Sequence, residues 1–159
     1  MGVYGSKGYS LFAYSSSQQT VQVLPEGVTI VNTYQQATLG SYGPSGANPA
    51  NSSLAPQNPA GGLRGVGCFY ASPTFALDII FDEDEPFTLS LYFIDWDHRN
   101  RQQTVSVMDF QTKNVIAPTQ FLPDFTEGIY LVYTYNSSVR VRVSNVSGDN
   151  AVLTALFFD

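Results

Sequence analysis

The feature that most constrains this chain is a side-chain alternation of period two, which recurs along its length without any sustained helical period. Residues 139–143 read Val-Arg-Val-Arg-Val, which places three valines on one face of a strand and two arginines on the other. Residues 87–96 and 103–108 alternate in the same way. Successive side chains of a β-strand point to opposite faces, whereas a helix needs apolar residues three and four positions apart. The chain is therefore predicted to be all-β.

Turn-forming residues separate the predicted strands and set their number. Clusters of Pro, Gly, Asp, Asn and Ser lie between them, as at 25–27 and 147–150. The connections are too short for the helical crossovers that parallel strands require. We predict an antiparallel, jelly-roll-like β-sandwich of eight or nine short strands. The further strand candidates are 20–24, 27–33, 66–70, 74–81, 128–135 and 151–158.

A long segment at 40–65 breaks the alternation. It contains four prolines and six glycines with a single charged residue, a composition typical of an irregular loop. Neither flank alone carries enough strands to close a sandwich, so this segment is not a linker between domains. At 159 residues the length also suits one domain. We predict a single domain over 1–159 with one long loop at about 40–65.

The charge balance excludes some partners. The net charge is −6 and no basic run is present, whereas nucleic-acid affinity depends on neutralising phosphates. The same balance disfavours binding to anionic membrane surfaces. No apolar stretch approaches the roughly 20 residues of a transmembrane helix. We therefore expect no nucleic acid and no membrane among the partners, and the sequence leaves the oligomeric state open.

Cysteine usage and glycosylation motifs bear on location. Cys68 is the only cysteine, so no disulfide within the chain and no cysteine-based zinc site is possible; we expect a buried structural thiol. Asn-x-Ser motifs at Asn51, Asn136 and Asn145 favour an extracellular or secreted protein. No signal-peptide pattern begins the chain, so an exported form would have lost its signal.

The densest group of polar residues lies between two predicted strands, at 95–103. One interpretation is a ligand-binding rim, in which Asp95, Asp97, Arg99 and Arg101 bind sugar hydroxyls and Trp96 stacks on a sugar ring. The alternative is structural. In that interpretation the aspartates and arginines tie a β-hairpin together and the tryptophan is buried in the core.

Catalysis by the same residues is the weaker hypothesis. Asp95 and Asp97 would lie about 7 Å apart on a strand, a separation compatible with an inverting glycoside hydrolase. General acid catalysis, however, needs a carboxyl with a raised pKa, and neighbouring arginines favour the ionised form. His98 is the only histidine, which excludes most histidine-based metal sites. We predict no catalytic residue and no cofactor.

Two acidic segments invite a calcium interpretation. The stretch that begins at Asp95 fails the EF-hand pattern, since Arg99, Asn100 and Ser106 stand where that loop needs Asp or Asn, Gly and Glu. The Asp-Glu-Asp-Glu run at 82–85 suits a structural calcium ion better. A solvated acidic turn is the simpler alternative for that run, and we predict no metal ligands.

Tyrosines and arginines on strands provide further candidates. Tyr130 faces away from Ile129 and Leu131, and its apolar ring with a polar tip suits a sugar-binding surface. Arg140 and Arg142 form an outward cationic pair in an acidic protein, which would suit an acidic sugar or a protein partner.

The sequence resembles an accessory domain found in extracellular, mostly bacterial, multidomain proteins. The resemblance spans nearly the whole chain, and its central motif is specific. It implies a jelly-roll-like sandwich similar to carbohydrate-binding modules and galactose-binding-like domains. The matching segments are Tyr-Gly-Ser-Lys-Gly-Tyr at 4–9, Leu-Tyr-Phe-Ile-Asp-Trp-Asp-His-Arg-Asn-Arg-Gln-Gln-Thr-Val at 91–105, Gly-Ile-Tyr-Leu-Val at 128–132, and Asn-Ala-Val-Leu-Thr-Ala-Leu-Phe-Phe at 150–158.

We therefore expect a non-catalytic carbohydrate-binding or lectin-like domain with a polysaccharide partner. The ligand-binding candidates are Asp95, Trp96, Asp97, Arg99, Arg101 and Tyr130. A structural or protein-interaction module, serving as a spacer or in oligomerisation, is the alternative. A glycoside hydrolase is the third hypothesis.

Overall fold

The computed structural model describes residues 4–14, 19–34, 37–44, 54–56, 65–82 and 86–159. This part of the chain contains thirteen β-strands and no α-helix, and every strand pairing within it is antiparallel. The strands are β1 (Gly8–Leu11), β2 (Val21–Val23), β3 (Val28–Tyr34), β4 (Thr38–Pro44), β5 (Gly65–Ala71), β6 (Thr74–Phe81), β7 (Phe87–Phe93), β8 (Gln102–Asp109), β9 (Gln120–Leu122), β10 (Ile129–Tyr135), β11 (Val139–Ser147), β12 (Ala151–Leu153) and β13 (Ala155–Phe158).

The strands form two five-stranded sheets and one small sheet. Sheet A has the order β10-β7-β13-β1-β2, sheet B has the order β3-β6-β11-β8-β9, and sheet C has the order β12-β5-β4. From β6 to β13 the chain passes repeatedly between sheets A and B. Such crossing is typical of jelly-roll topologies.

The main core lies between sheets A and B, which establishes the sandwich. Leu91 and Leu156 from sheet A are fully buried in one cluster with Leu77, Val107 and Val141 from sheet B. Each of these residues alternates along its strand with a residue of the opposite face, as the period-two pattern predicts. The prediction of an all-β antiparallel sandwich is confirmed.

A second apolar cluster covers the outer face of sheet A. Tyr92 and Phe157 alternate with core residues along β7 and β13, so their side chains lie on the side away from sheet B. The short segment 54–56 packs onto this face: Ala55 is 1% exposed, and the Tyr92 hydroxyl donates a hydrogen bond of 2.6 Å to the Leu54 carbonyl. Sheet A is therefore buried on both sides over part of its width.

Several predicted boundaries are wrong. The described residues hold thirteen strands rather than eight or nine, because β1, β4 and β9 were not expected and 151–158 divides at Thr154. Thr154 marks the point where the chain leaves sheet C for sheet A. The strand expected at 87–96 ends at Phe93, and β4 occupies the start of the predicted loop at 40–65.

Some predictions concern residues that the structure does not describe. Asn51 and most of the predicted loop are among them, as are three of the four residues of the acidic run at 82–85. Within the described ranges, no helix has the length and apolar character that crossing a membrane requires.

Candidate functional site

The predicted polar cluster forms the loop between β7 and β8. The Asp95 amide donates to the Phe125 carbonyl at 3.1 Å, which fixes the start of the loop. His98 and Asn100 adopt left-handed backbone conformations, with φ of 52° and 54°. These conformations are uncommon for residues other than glycine, although asparagine and histidine adopt them more readily than most. The backbone reverses at His98 and Asn100, so Arg101 returns towards Asp95 at the start of the loop.

Arg101 connects both aspartates in a network that is largely buried. Its Nη1 donates to Asp95 Oδ1 and Asp97 Oδ1, and its Nη2 donates to Asp97 Oδ2 at 3.4 Å. Its Nε donates to Asn150 Oδ1 at 3.0 Å, and its backbone amide donates to Asp95 Oδ2 at 3.2 Å. Arg101 and Asp95 are only 4% and 1% exposed. The guanidinium and the Asp95 carboxylate are therefore parts of the framework of the loop.

Electrostatics keep Asp97 and Arg101 charged. Burial raises the pKa of Asp97, but the hydrogen bonds and charge of Arg101 outweigh it, so the pKa lies below its usual range. Burial lowers the pKa of Arg101, and the same carboxylates more than reverse that effect. Around neutral pH the Asp97 carboxylate is therefore ionised and the guanidinium protonated.

Trp96 and Arg99 have opposite environments within the loop. Trp96 is 6% exposed and belongs to the second apolar cluster, so its ring faces are not open to a ligand. The Arg99 side chain is 59% exposed, with Nε at 3.4 Å from Asp97 Oδ2 and 3.8 Å from Asp149 Oδ2. The exposed part of the loop is therefore 97–100, and Arg99 lies next to Asp149 of the turn between β11 and β12.

The structure thus brings Asp95, Asp97 and Arg101 together, with Arg99 at their edge. The burial of Asp95, Trp96 and Arg101 matches the structural interpretation in its Asp–Arg pairs and its buried tryptophan. The hairpin that it included is wrong, because β7 belongs to sheet A and β8 to sheet B, so the loop connects the two sheets. Ligand binding by the predicted residues stays a prediction.

Tyr130 lies away from this loop, in a stack of tyrosines at the edge of sheet A. Its ring centroid is 4.3 Å from that of Tyr4 and 4.5 Å from that of Tyr92, with interplanar angles of 19° and 32°. Two rings this close to a third cannot occupy the same face of it without overlapping, so Tyr130 lies between Tyr4 and Tyr92. Tyr130 is 39% exposed and Tyr92 is 3% exposed. We call these three residues the tyrosine stack.

A glycine allows the stack to form. Gly128, immediately before β10, has φ of +76°, and a Cβ atom there would lie 2.4 Å from the Tyr92 hydroxyl oxygen. Any other residue would be strained and would collide with the ring. The Gly-x-Tyr order at 128–130 is the sequence signal for this arrangement.

The stack and the loop share one support. Tyr92 and Trp96 are both buried in the second apolar cluster, and Tyr4 packs against its edge. The same strand, β7, leads from Tyr92 directly into the loop.

The outer face of sheet B holds more polar groups than the two arginines that the sequence analysis singled out. A depression of about 260 Å³ lies there, lined by hydroxyl groups, two arginines and two apolar residues. The sequence indicated this surface through the polar residues that alternate with apolar ones along β6 and β11. The lining residues are Thr74, Ala76, Met108, Arg140, Arg142 and Ser144.

The described residues contain no group of three or more His, Cys, Asp or Glu side chains that would hold a metal ion. Three of the four residues of the acidic run at 82–85 lie outside this part of the chain.

Comparisons with known proteins give similarities in fold. No protein-family model matches the sequence, and no curated protein matches it. The carbohydrate-binding module TmCBM61, solved with β-1,4-galactotriose, is 10% identical with a TM-score of 0.43, covering 84% of this chain and 88% of its own. A family 35 carbohydrate-binding module from Clostridium thermocellum is 10% identical with a TM-score of 0.39, covering 82% and 96%.

A larger protein also contains a similar region. Bacteroides uniformis β-glucuronidase 2, in a calcium-binding mutant, is 14% identical with a TM-score of 0.48. The match covers 93% of this chain but only 16% of that enzyme. With identities this low and TM-scores below 0.5, we base the proposed function on this chain's own residues.

Proposed function

We propose that this domain binds carbohydrate without chemically changing it, as a carbohydrate-binding or lectin-like module. The observation that carries the proposal is the tyrosine stack, which presents aromatic rings at the surface of sheet A. Tyr4 and Tyr92 stack on the two faces of Tyr130, so Tyr130, which is 39% exposed, presents its ring edge and hydroxyl. The half-buried Tyr4 has one ring face turned away from Tyr130. A tyrosine ring offers an apolar face to the C–H groups of a sugar ring and a hydroxyl to its polar edge.

The stack is already ordered before any ligand arrives. Tyr92 is buried beneath Tyr130 and donates to the Leu54 carbonyl, so the innermost ring cannot rotate freely. Phe157 supports Tyr130 at 6.0 Å and Tyr4 at 6.4 Å between ring centroids. A surface that is fixed in advance loses less conformational entropy on binding.

The loop between β7 and β8 supports a non-catalytic role. Glycoside hydrolysis needs a protonated carboxyl as general acid. Arg101 binds both Asp95 and Asp97, and the pKa of Asp97 lies below its usual range despite its partial burial. The contacts of both carboxylates with Arg101, and the lowered pKa of Asp97, do not suit a proton donor.

The proposal includes an extracellular location, where polysaccharides are accessible to a module of this kind. Of the three Asn-x-Ser motifs, the one at Asn136 has its asparagine exposed in the turn between β10 and β11. Glycosylation at this position would therefore be compatible with the fold.

Binding to neutral polysaccharides tests the proposal. The full chain should be retarded in affinity gels that contain β-1,4-galactan, xylan, mannan or mixed-linkage glucan. Tyr4→Ala and Tyr130→Ala should abolish the retardation, while Val23→Ser should keep it. Val23 is 54% exposed on β2, at the opposite edge of sheet A, and serves as the matched surface control. Failure to bind any neutral glycan, or binding that both tyrosine variants retain, would contradict the proposal.

A protein-interaction module is the second candidate, and exposed apolar residues favour it. Val115 and Ile116, in the connection between β8 and β9, are 50% and 43% exposed. If this surface mediates oligomerisation, sedimentation should show a mass that rises with concentration above the 17.4 kDa of one chain. A constant monomer mass would exclude self-association.

A further inference from the structure

The outer face of sheet B presents a regular array of polar side chains. In the strand register, Ser144 on β11 lies between Thr74 on β6 and Thr104 on β8. Arg142 lies one row away, with Ala76 and Ser106 as its cross-strand neighbours. All these side chains alternate with core residues and therefore point away from sheet A.

Within this array one arginine is neutralised and the other is not. Arg140 donates from Nε to Asp78 Oδ1 at 2.6 Å and from Nη2 to Asp78 Oδ2 at 2.8 Å, a bidentate pair. The Arg142 side chain is exposed and forms no ion pair or hydrogen bond with any described residue. Its guanidinium therefore retains the geometry that matches a carboxylate and the charge to attract one.

The shape of the surface beside Arg142 suits a sugar ring. Ala76 lies at the floor of the depression of about 260 Å³ and is only 1% exposed, and its small side chain leaves space between its neighbours. Met108 adds an apolar contact, and Thr74 Oγ1 and Ser144 Oγ share a hydrogen bond of 2.8 Å. Thr74 Oγ1 also donates to the Val143 carbonyl at 2.8 Å, and the two hydroxyl oxygens can accept hydrogen bonds from a sugar.

An exposed aromatic ring lies on the same face. Phe121 on β9 pairs with Thr104 and points outward, and it is 53% exposed. It lies two strands from Ser144, which is about 10 Å at the spacing of strands in a sheet. A short oligosaccharide could extend from Arg142 across Thr104 to this ring.

We propose that this face binds an acidic sugar, a hexuronate unit of a polysaccharide. The carboxylate pairs with the Arg142 guanidinium, and the sugar ring lies in the depression beside Met108, above the buried Ala76. A neighbouring sugar packs against Phe121. This inference deepens the proposed carbohydrate-binding function and rests on it, but it uses a surface separate from the tyrosine stack.

The charge pattern favours a uronate over other anions. Nucleic acid is bound through many phosphates at once, so it is a poor fit for a face with one guanidinium that is unpaired among the described residues. A polysaccharide with one carboxylate per sugar offers single charges among hydroxyls, which matches the composition of this face.

Titration of oligogalacturonate into the full chain at low salt tests the proposal by calorimetry. Arg142→Gln should weaken binding about 10-fold or more, the loss expected when a charged hydrogen-bonding partner is removed. The affinity of Arg142→Lys should lie between those of the wild type and Arg142→Gln, because lysine keeps the charge without the bidentate geometry. Lys7→Gln removes the same charge from an exposed residue elsewhere and should leave binding within about 2-fold.

Two further measurements separate this proposal from the first. Methyl-esterified oligogalacturonate has no free carboxylate. The wild type should therefore bind it no more tightly than Arg142→Gln does. Tyr4→Ala should retain uronate binding, and Arg142→Gln should retain neutral-glycan binding. Absence of uronate binding by the wild type, or equal binding by Arg142→Gln, would overturn this proposal alone. Loss of neutral-glycan binding alone would overturn the tyrosine-stack site instead.

Discussion

Two aspartate–arginine pairs occupy different environments in this molecule. In the loop between β7 and β8, Asp95 and Arg101 are 1% and 4% exposed. On the outer face of sheet B, the Asp78 side chain is 3% exposed, whereas that of Arg140 is 22% exposed. The first pair is enclosed on all sides and holds the loop in shape. The second lies at the surface beside Arg142, whose side chain forms no ion pair or hydrogen bond within the described part of the chain.

The difference shows that a dense run of polar residues in a sequence is not by itself a recognition surface. The loop at 95–103 concentrates aspartate, arginine and tryptophan, and the fold uses most of them internally. The strand Val-Arg-Val-Arg-Val at 139–143 contains less varied chemistry but directs its arginines outward. Four substitutions test and refine this contrast.

Arg101→Met should have the largest effect on stability. Removing one partner of a buried ion pair leaves the Asp95 carboxylate without its counterion, at a cost of about 3–5 kcal/mol. Urea unfolding followed by tryptophan fluorescence measures the loss. Arg99→Met is the matched control, since its side chain is 59% exposed, and it should cost less than about 1 kcal/mol. Equal losses of unfolding free energy for the two variants would show that Arg101 stabilises the loop no more than the exposed Arg99 does.

Asp78→Asn should destabilise the fold by about 1.5–3 kcal/mol near neutral pH, the contribution of a hydrogen bond to a charged group. Burial raises the pKa of Asp78, but the hydrogen bonds that Arg140 donates lower it by a larger amount, so the pKa lies below its usual value. Its contribution is therefore complete above the unfolded-state pKa of about 3.9 and disappears as pH falls through the folded-state value.

The unfolding free energies of wild type and Asp78→Asn should accordingly converge as pH decreases below about 4. Measuring both proteins from pH 7 to pH 2.5 checks this. In an Arg140→Met background the pH-dependent difference should be much smaller. A difference that persists unchanged in that background would show that Arg140 is not its cause.

Gly148→Ala should cost about 1–2 kcal/mol, because an L-residue is strained in the left-handed region. Gly148 has φ of +86°, and an added Cβ would lie 3.0 Å from the Arg101 Cα. Thermal unfolding provides the measurement. A variant as stable as the wild type would indicate that the β11–β12 turn does not constrain the Arg101 loop.

Arg142→Met should have the smallest effect, within about 0.5 kcal/mol, because surface substitutions without specific partners are usually neutral. The same urea titration measures it. A loss above about 1 kcal/mol would show that Arg142 stabilises the fold, and its availability for a ligand would need another explanation.

The strands that the sequence predicts best are those in which alternation coincides with a single buried face. β10 and β11 are examples, since their outward residues are polar or partly exposed along much of their length. β1 was not expected because all four of its residues are buried, so no alternation is present. β4 contains two glycines and a proline, which are typical of loops, and it is a strand because β5 pairs with it.

The proximity of Asp95, Asp97 and Arg101 could be predicted from their spacing, but their burial could not. The segments that enclose this region come from distant parts of the chain, including Asn150 and the turn at Gly148. The tyrosine stack likewise joins Tyr4 to Tyr130, more than a hundred residues apart. Local patterns determine which way a side chain points along a strand, whereas tertiary contacts determine what covers it.

The pairing of β1 with β13 has a mechanical consequence. Gly8 lies opposite Phe158, and the Asp159 carboxylate accepts hydrogen bonds from the amides of Gly5 and Ser6. The two strands are antiparallel and their outer ends leave the sheet at the same place. Tension applied through both ends would therefore separate the strands one hydrogen bond at a time, like a zipper, instead of loading all the bonds together. We expect this seam to open first, and at low force, if the domain is stretched between neighbouring parts of a longer chain.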